Sequence, residues 1–170
     1  MRKTLLLLSA FILIILAACS SPEADEVLDY HNNYVDEIVP KVEEIEQLSL
    51  QGASSESEEE ALAVQVDEIM PILQDITDYF DGQSPEHDIT KEYHELRSGW
   101  SSHLYEAVDL ENQAVQGYLD DSLSEDEFIE MLTESEEKAM QAQEFTMEAN
   151  DKWEEYKEEF GFEDLEEEEN

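Results

Sequence analysis

The feature that most constrains the fold is an unbroken stripe of apolar and small residues near the end of the chain. From Phe128 to Phe160 such residues recur at alternating steps of four and three. They are Phe128, Leu132, Ser135, Ala139, Ala142, Thr146, Ala149, Trp153, Tyr156 and Phe160. This spacing follows the period of an α-helix and places all of them on one face. The sequence therefore predicts a long amphipathic helix that must bury this face against other helices.

A capping box marks the start of this helix. In the stretch LSEDEF, Ser124 and Glu127 have the spacing at which each side chain accepts a hydrogen bond from the other residue's backbone N–H. Leu123 and Phe128 have the spacing of a hydrophobic staple across the same turn. We therefore expect the fourth helical segment to begin directly after Ser124.

Three earlier segments show the same periodicity. The first runs from about Glu26 to Leu50, the second from about Leu62 to Phe80, and the third from Ser84, a predicted N-cap, to about Tyr118. The predicted core faces are Leu28, His31, Val35, Ile38, Val42, Ile45 and Leu48; then Leu62, Val66, Ile69, Leu73, Ile76 and Phe80; then Ile89, Tyr93, Leu96, Trp100, His103 or Leu104, Ala107, Leu110, Ala114 and Tyr118. Ser57 and Glu60 have capping-box spacing before the second segment, and Pro85 suits the first position of the third.

Four amphipathic helices joined by short polar loops predict an all-α fold. We expect an antiparallel up-down-up-down four-helix bundle over residues 26–162. The same periodicity also allows long helices that pair between molecules, but breaks near Gly52 and Gly82 favour a bundle within one chain. The like-charge run at residues 163–170 predicts a disordered acidic tail.

The first two segments share a repeated motif that contains a proline. VDEIVPKVEEI and VDEIMPILQDI are identical at six of eleven positions, and they place Pro40 and Pro71 inside the predicted helices. An interior proline costs about 3 kcal/mol unless the helix bends. We expect matched bends at Pro40 and Pro71, at nearly the same level of the bundle. The alternative is that each proline begins a new helix.

The N-terminus has the pattern of a secretory signal peptide. Arg2 and Lys3 precede an apolar run of 14 residues, from Leu5 to Ala18, which is shorter than the roughly 20 residues of a membrane-spanning helix. The run ends in Leu-Ala-Ala-Cys, and Cys19 is the only cysteine of the chain.

This ending resembles the lipobox of bacterial lipoproteins. The resemblance implies a signal peptide at 1–18, cleavage between Ala18 and Cys19, a palmitate-type lipid on Cys19 as membrane anchor, and a linker at 19–25. An ordinary signal peptide with an accidental cysteine is the alternative.

The rest of the chain resembles the uncharacterised small helical lipoproteins of Gram-positive bacilli. The resemblance rests on VLDYHNNYVDEIVPKVEEIE, DEIMPILQDI and TKEYHELRSGWSSHLYEAV. It implies a helical bundle tethered to the outer face of the cell membrane of a Gram-positive cell, and it implies no catalytic residues.

The mature chain is extremely acidic. All 47 acidic residues lie beyond Ala18, where only six residues are basic, so the net charge there is about −41. Such a chain repels the phosphates of nucleic acid, which excludes nucleic acid as an expected partner. Solubility in a saline or alkaline medium explains the charge, and capture of cations or of a basic partner is the other explanation.

No pattern in the sequence predicts a catalytic, metal or cofactor site. Ser102 and His103 are adjacent on a helix and point about 100° apart, so they cannot form a nucleophile and base pair. No histidine has a glutamate three positions before it, as a di-iron bundle requires. His87 and His94 are about 10 Å apart along a helix, too far to share one ion.

Three further features have ordinary structural explanations. Residues 120–128 lack the glycine and the closing glutamate of a calcium-binding loop. We expect His31 and His103 to be hydrogen-bonded core residues, and the methionines and aromatic residues to be core.

The expected function is thus a non-catalytic interaction module at the cell envelope. The alternative is a lipoprotein that binds a small ligand or metal inside the bundle, with His31 and His103 as the first residues to inspect.

Overall fold

The computed structural model describes residues 21–162, which are helical apart from short connections and contain no strand. The elements are α1 (Pro22–Glu37), α2 (Val39–Ala53), α3 (Glu58–Val64), a π-helix (Gln65–Ile69), α4 (Met70–Asp81), α5 (Asp88–Leu119) and α6 (Glu125–Phe160). Helices α1 and α2 form one segment, and α3, the π-helix and α4 form another. The predicted all-α class with four helical segments is confirmed. The predictions for residues 1–18, Cys19 and 163–170 lie outside the described residues.

Serine side chains cap three of the four segments. Ser124 and Glu127 form the predicted capping box, with the Ser124 N–H donating to Glu127 Oε2 at 2.9 Å. Ser57 Oγ accepts the Glu60 N–H at 3.2 Å, but Glu60 reaches back to the N–H of Glu56 and not to that of Ser57.

The linker predicted at 19–25 is wrong beyond Ser21. Ser21 caps α1, and Pro22 occupies its first turn, where a missing N–H is harmless.

The third segment begins later than predicted. Its N-cap is His87 and not Ser84, and Pro85 lies in the connection before it. The cause is a distant carboxylate. Glu26 on α1 accepts the backbone N–H groups of Glu86, at 2.7 Å, and His87, at 2.9 Å. These bonds hold the residues before Asp88 out of the helix, and no local pattern could have shown this.

The two repeated prolines are accommodated differently. Before Pro40 the helix is interrupted at one residue, Ile38, whose backbone stays near the helical region. Before Pro71 the chain forms the five-residue π-helix, a wider turn that leaves room for the proline ring. Lys41, which follows Pro40, pairs with Asp75, four residues or about one helical turn beyond Pro71.

The π-helix also rotates the buried face of the second segment. Val64 and Ile69, five positions apart, are both buried, and Leu73, Ile76 and Phe80 continue the face. The predicted core residue Val66 is exposed because the wide turn inserts one extra residue. Val35 is likewise exposed, since the buried face of the first segment runs through Val27, Tyr30 and Ile38. Tyr118 is exposed as well, and its neighbour Gly117 is buried in its place.

Helices α5 and α6 form the most extensive contact. Ser135, Ala142, Ala149 and Tyr156 are buried at every seventh position of α6, as the predicted stripe requires, although Ala139 is exposed. Large residues meet small ones here, with Phe145 of α6 packed against Gly99 of α5, and Leu123, in the connection between the two helices, packed against Gly117 of α5. Within residues 21–162, no helix combines the length and the apolar character that a membrane crossing requires.

Candidate functional site

A cluster of polar and aromatic side chains from three helices surrounds the buried Tyr93 and Arg97, and we call it the Tyr93 centre. Its members are His31 and Tyr34 from α1, Tyr93 and Arg97 from α5, and Asn150 and Trp153 from α6. The Tyr93 hydroxyl connects them. It lies 2.9 Å from His31 Nδ1, and Arg97 donates to it from Nη2 at 2.7 Å and from Nε at 3.1 Å.

These distances assign the protons of the Tyr93 centre. The Tyr93 oxygen accepts both Arg97 N–H groups, so its own O–H is available to donate to His31 Nδ1. His31 therefore uses Nδ1 as an acceptor in this contact. Its ring also stacks on Trp153, with the ring centres 3.5 Å apart and the planes 5° from parallel. Both contacts fix the orientation of the imidazole.

Arg97 is the only arginine beyond Ala18, and it is 4% exposed. Its hydrogen bonds among the described residues go to neutral groups: to Tyr93, to Asn150 Oδ1 at 3.2 Å and, weakly, to the Tyr34 hydroxyl at 3.4 Å. The guanidinium carbon also lies 4.2 Å from the ring centre of Tyr34. Burying a charge without a carboxylate is costly, and the aromatic face and aligned dipoles offset part of that cost. The strongly negative surface lowers it further.

A second tyrosine–histidine pair lies beside the first. Tyr30 precedes His31 on α1, His94 follows Tyr93 on α5, and Tyr30 and His94 are joined by a hydrogen bond of 2.9 Å. Each of the two helices therefore contributes one tyrosine and one histidine to the two pairs. Burial lowers the pKa of His94, although Glu95 and Asp81 oppose this shift. Burial raises the pKa of Tyr30, and it raises that of Tyr93 despite the opposing Arg97 charge. Both hydroxyls are therefore protonated at neutral pH and serve as hydrogen-bonding groups.

The other predicted residues are placed separately. His103 is outside the Tyr93 centre, with Nδ1 2.8 Å from the Gly99 carbonyl of its own helix and its ring against Phe145. His87 binds Glu26 and His94 binds Tyr30, so these two histidines do not meet. No group of three or more potential metal ligands occurs within residues 21–162. The expectation that the methionines are core is wrong for Met140 and Met147, which are exposed.

A second candidate lies in the other half of the molecule, and the sequence did not indicate it. A cavity of about 550 Å³ is bordered by the π-helix, α4, the last turns of α5 and the start of α6. Asn112 of α5 lines it and is 6% exposed. Neither Oδ1 nor Nδ2 of Asn112 makes a hydrogen bond with a described residue. We call this the Asn112 cavity.

Neither Arg97 nor Asn112 had a sequence signal. Both are polar residues whose burial follows from the packing of other helices.

Comparisons with known proteins found no matching family model, no matching curated protein and no matching solved structure. The lipobox and the resemblance to small helical lipoproteins therefore remain predictions from the sequence.

Proposed function

We propose that this chain is an extracytoplasmic lipoprotein of the cell membrane that acts as a non-catalytic binding module. In this proposal Cys19 carries the lipid, and the helices form an antiparallel up-down-up-down bundle. The support for anchoring is the combination of a basic start, a short apolar run and Leu-Ala-Ala-Cys at the only cysteine.

Contacts between the segments support the bundle topology. Along α5 and α6 the paired residues are Ile89 with Tyr156 and Ala107 with Ser135, so one number rises as the other falls. Along α1 and α5 both numbers rise together, from Glu26 with His87 to Tyr34 with Arg97. The first and third segments would then point the same way, and the fourth would point the opposite way, as an up-down-up-down bundle requires.

This topology gives the molecule two different ends. Ser21, which is two residues from Cys19, lies at the end where α5 begins, close to the aromatic core. The loops at 54–57 and 120–124 lie at the other end, about 48 Å away along the 32 residues of α5. We call these the anchor end and the distal end.

The observation that carries the proposal is that two open cavities lie toward the distal end. The Asn112 cavity is there, and a second cavity of about 390 Å³ lies between α3, α5 and α6 beside Leu62, Tyr118 and Phe128. Tyr118 is 52% exposed. The anchor half, in contrast, contains the aromatic cluster around Tyr93 and a smaller cavity of about 190 Å³ beside Tyr30 and Thr90. A lipid on Cys19 would thus present the open end away from the membrane, where a partner can reach it.

Site-specific photo-crosslinking in the native membrane tests this proposal. A photoreactive phenylalanine derivative replaces Tyr118 at the distal end, and in a matched control it replaces Met147, which is 59% exposed on α6 nearer the anchor end. We expect an adduct of defined mass at position 118 and none at position 147. Equal labelling at both positions, or none at position 118, would reject a distal binding face.

A further inference from the structure

We infer that the cavity between α3, α5 and α6 is a binding site for a small organic cation of the alkylated ammonium class. We call it the Tyr118 cavity, and Leu62, Tyr118 and Phe128 are among its walls. The inference deepens the proposed function, because it names a ligand class for the distal end, and it rests on that end being the binding face. It does not depend on lipid attachment.

An aromatic pair forms one wall of the Tyr118 cavity. The rings of Tyr118, near the end of α5, and Phe128, near the start of α6, have centres 4.8 Å apart and planes tilted by 32°. Tyr118 is 52% exposed, so a molecule in the cavity can reach its ring. The face of an aromatic ring attracts a cation that lies within about 6 Å of the ring centre. Two adjoining rings therefore supply the kind of contact by which proteins recognise quaternary ammonium groups.

The charged residues of the cavity are both acidic. Glu58 of α3 and Glu111 of α5 line it, and none of its described lining residues is basic. Both residues are at least partly accessible to solvent, and the salt bridges among the described residues use other carboxylates. Both carboxylates would attract a cation in the cavity, and they would repel an anion. Capture of cations, one of the two explanations of the acidity, thus has a specific location in this cavity.

The remaining walls favour an organic cation over a metal ion. Ala61, Leu62 and Val115 supply apolar surface. A metal ion such as calcium needs about six to eight oxygen ligands. An alkylated ammonium, in contrast, carries its charge inside a shell of apolar groups, which can contact these side chains. The cavity volume of about 390 Å³ is within the usual range for small-molecule sites.

The test is an NMR titration of the full chain, as processed by the producing cell, in a non-ionic detergent. The probes have one shape and differ in charge: choline, a cation; 3,3-dimethyl-1-butanol, in which a carbon replaces the nitrogen; and 3,3-dimethylbutanoate, an anion. The salt concentration is held at about 0.15 M, where the general attraction of an acidic chain for cations is screened beyond about 8 Å. The readout is the ring resonances of Phe128, assigned by their loss in Phe128→Leu.

We expect choline to shift the Phe128 resonances with a dissociation constant of about 1 mM, a typical value for so small a ligand. The neutral alcohol should bind at least about fivefold more weakly, and the anion should cause no shift. Tyr118→Leu and Glu111→Gln should each weaken choline binding about three- to fivefold, whereas Tyr118→Phe should recover most of the affinity lost in Tyr118→Leu. Glu148→Gln, the same change at an exposed position of α6 nearer the anchor end, is the matched control and should leave the affinity unchanged.

Four results would overturn the inference. They are no shift with choline, equal affinity for choline and the neutral alcohol, full choline affinity in Tyr118→Leu, or an equal loss of affinity in Glu111→Gln and Glu148→Gln, which would mean that choline follows the general charge of the chain. The comparison of the three probes on the wild-type chain decides the matter even if a variant fails to fold. A photo-crosslinked adduct at position 118 without a choline shift would overturn this inference alone, and the absence of both would also reject the proposed distal binding face.

Discussion

Arg97 and Tyr93 lie one turn apart on α5, and the guanidinium of Arg97 holds the Tyr93 hydroxyl with two hydrogen bonds, of 2.7 and 3.1 Å. This pair fixes the direction of the Tyr93 O–H toward His31 on α1, while Arg97 itself reaches Asn150 on α6. One buried cation thus joins three helical segments. It does so through neutral groups, in a chain that has an abundance of carboxylates.

Arg97→Lys should therefore be strongly destabilising although it keeps the charge. An ammonium cannot reproduce the planar fork that contacts Tyr93 and Asn150, or its stacking on Tyr34. We expect the free energy of unfolding to fall by about 2–3 kcal/mol in urea denaturation followed by circular dichroism. Lys41→Arg, at a half-exposed surface pair, serves as the control and should change the free energy of unfolding by less than about 0.5 kcal/mol. Equal stability of Arg97→Lys and wild type would remove Arg97 from this role.

Glu26 should make stability depend on pH. Burial alone would raise its pKa, but hydrogen bonds from the Glu86 and His87 backbone and from the His87 side chain lower the pKa from 4.5 to about 2. A carboxylate with a lowered pKa in the folded state stabilises the protein above pH 4.5. That stabilisation is lost as the pH falls toward 2.

Glu26→Gln should accordingly reduce the free energy of unfolding by about 1–2 kcal/mol at pH 7, after allowance for the partial solvent exposure of the group. The difference from wild type should disappear as the pH approaches 2. Chemical denaturation at a series of pH values measures this difference in the free energy of unfolding. Glu23→Gln, in the first turn of α1, is the control. A difference that stays constant from pH 7 to pH 2 would show that Glu26 does not act through its charge.

Gly99→Ala should destabilise the contact between α5 and α6. A Cβ at position 99 would lie 2.7 Å from Phe145, which is closer than packed atoms allow. Alanine favours a helix by up to about 1 kcal/mol over glycine, but the displaced ring should outweigh this, with a net loss of about 1–2 kcal/mol. Gly82→Ala is the control, because Gly82 has helical backbone angles and only ordinary contacts. If thermal melting gives both variants the same Tm, the packing at Gly99 is looser than described.

Pro40→Ala should merge α1 and α2. The new N–H at position 40 can donate to the carbonyl of Asp36, which proline leaves without its usual partner. The amides of Val39 and Lys41 should then exchange with deuterium about tenfold more slowly. Pro85→Ala, in the connection before α5, should leave them unchanged. Unaltered exchange in Pro40→Ala would mean that packing at Ile38, and not the proline, interrupts the helix.

The sequence predicted the elements whose signals are local. The Ser124–Glu127 capping box and the seven-residue spacing of Ser135, Ala142, Ala149 and Tyr156 depend on residues within one helix, and both were found. The start of α5 was wrong because its determinant, Glu26, lies 60 residues earlier in the chain.

The register of the buried faces was predictable only where the helix is regular. An extra residue in the π-helix exposes Val66, and periodicity cannot reveal a change of helix type. The same limit applies to the sites. His31 can be predicted as a core residue because it lies in an apolar stripe, whereas Arg97 and Asn112 are polar residues whose burial follows from packing alone.

The most direct test of the proposed function is the mass of the N-terminal peptide of the mature protein, isolated from the membranes of the cells that make it. We expect a chain that begins at Cys19 and carries a diacylglyceryl group, and we expect Cys19→Ala to leave the signal segment uncleaved and the lipid absent. A mature chain that begins elsewhere, or an unmodified Cys19, would show that the protein is not a lipid-anchored module.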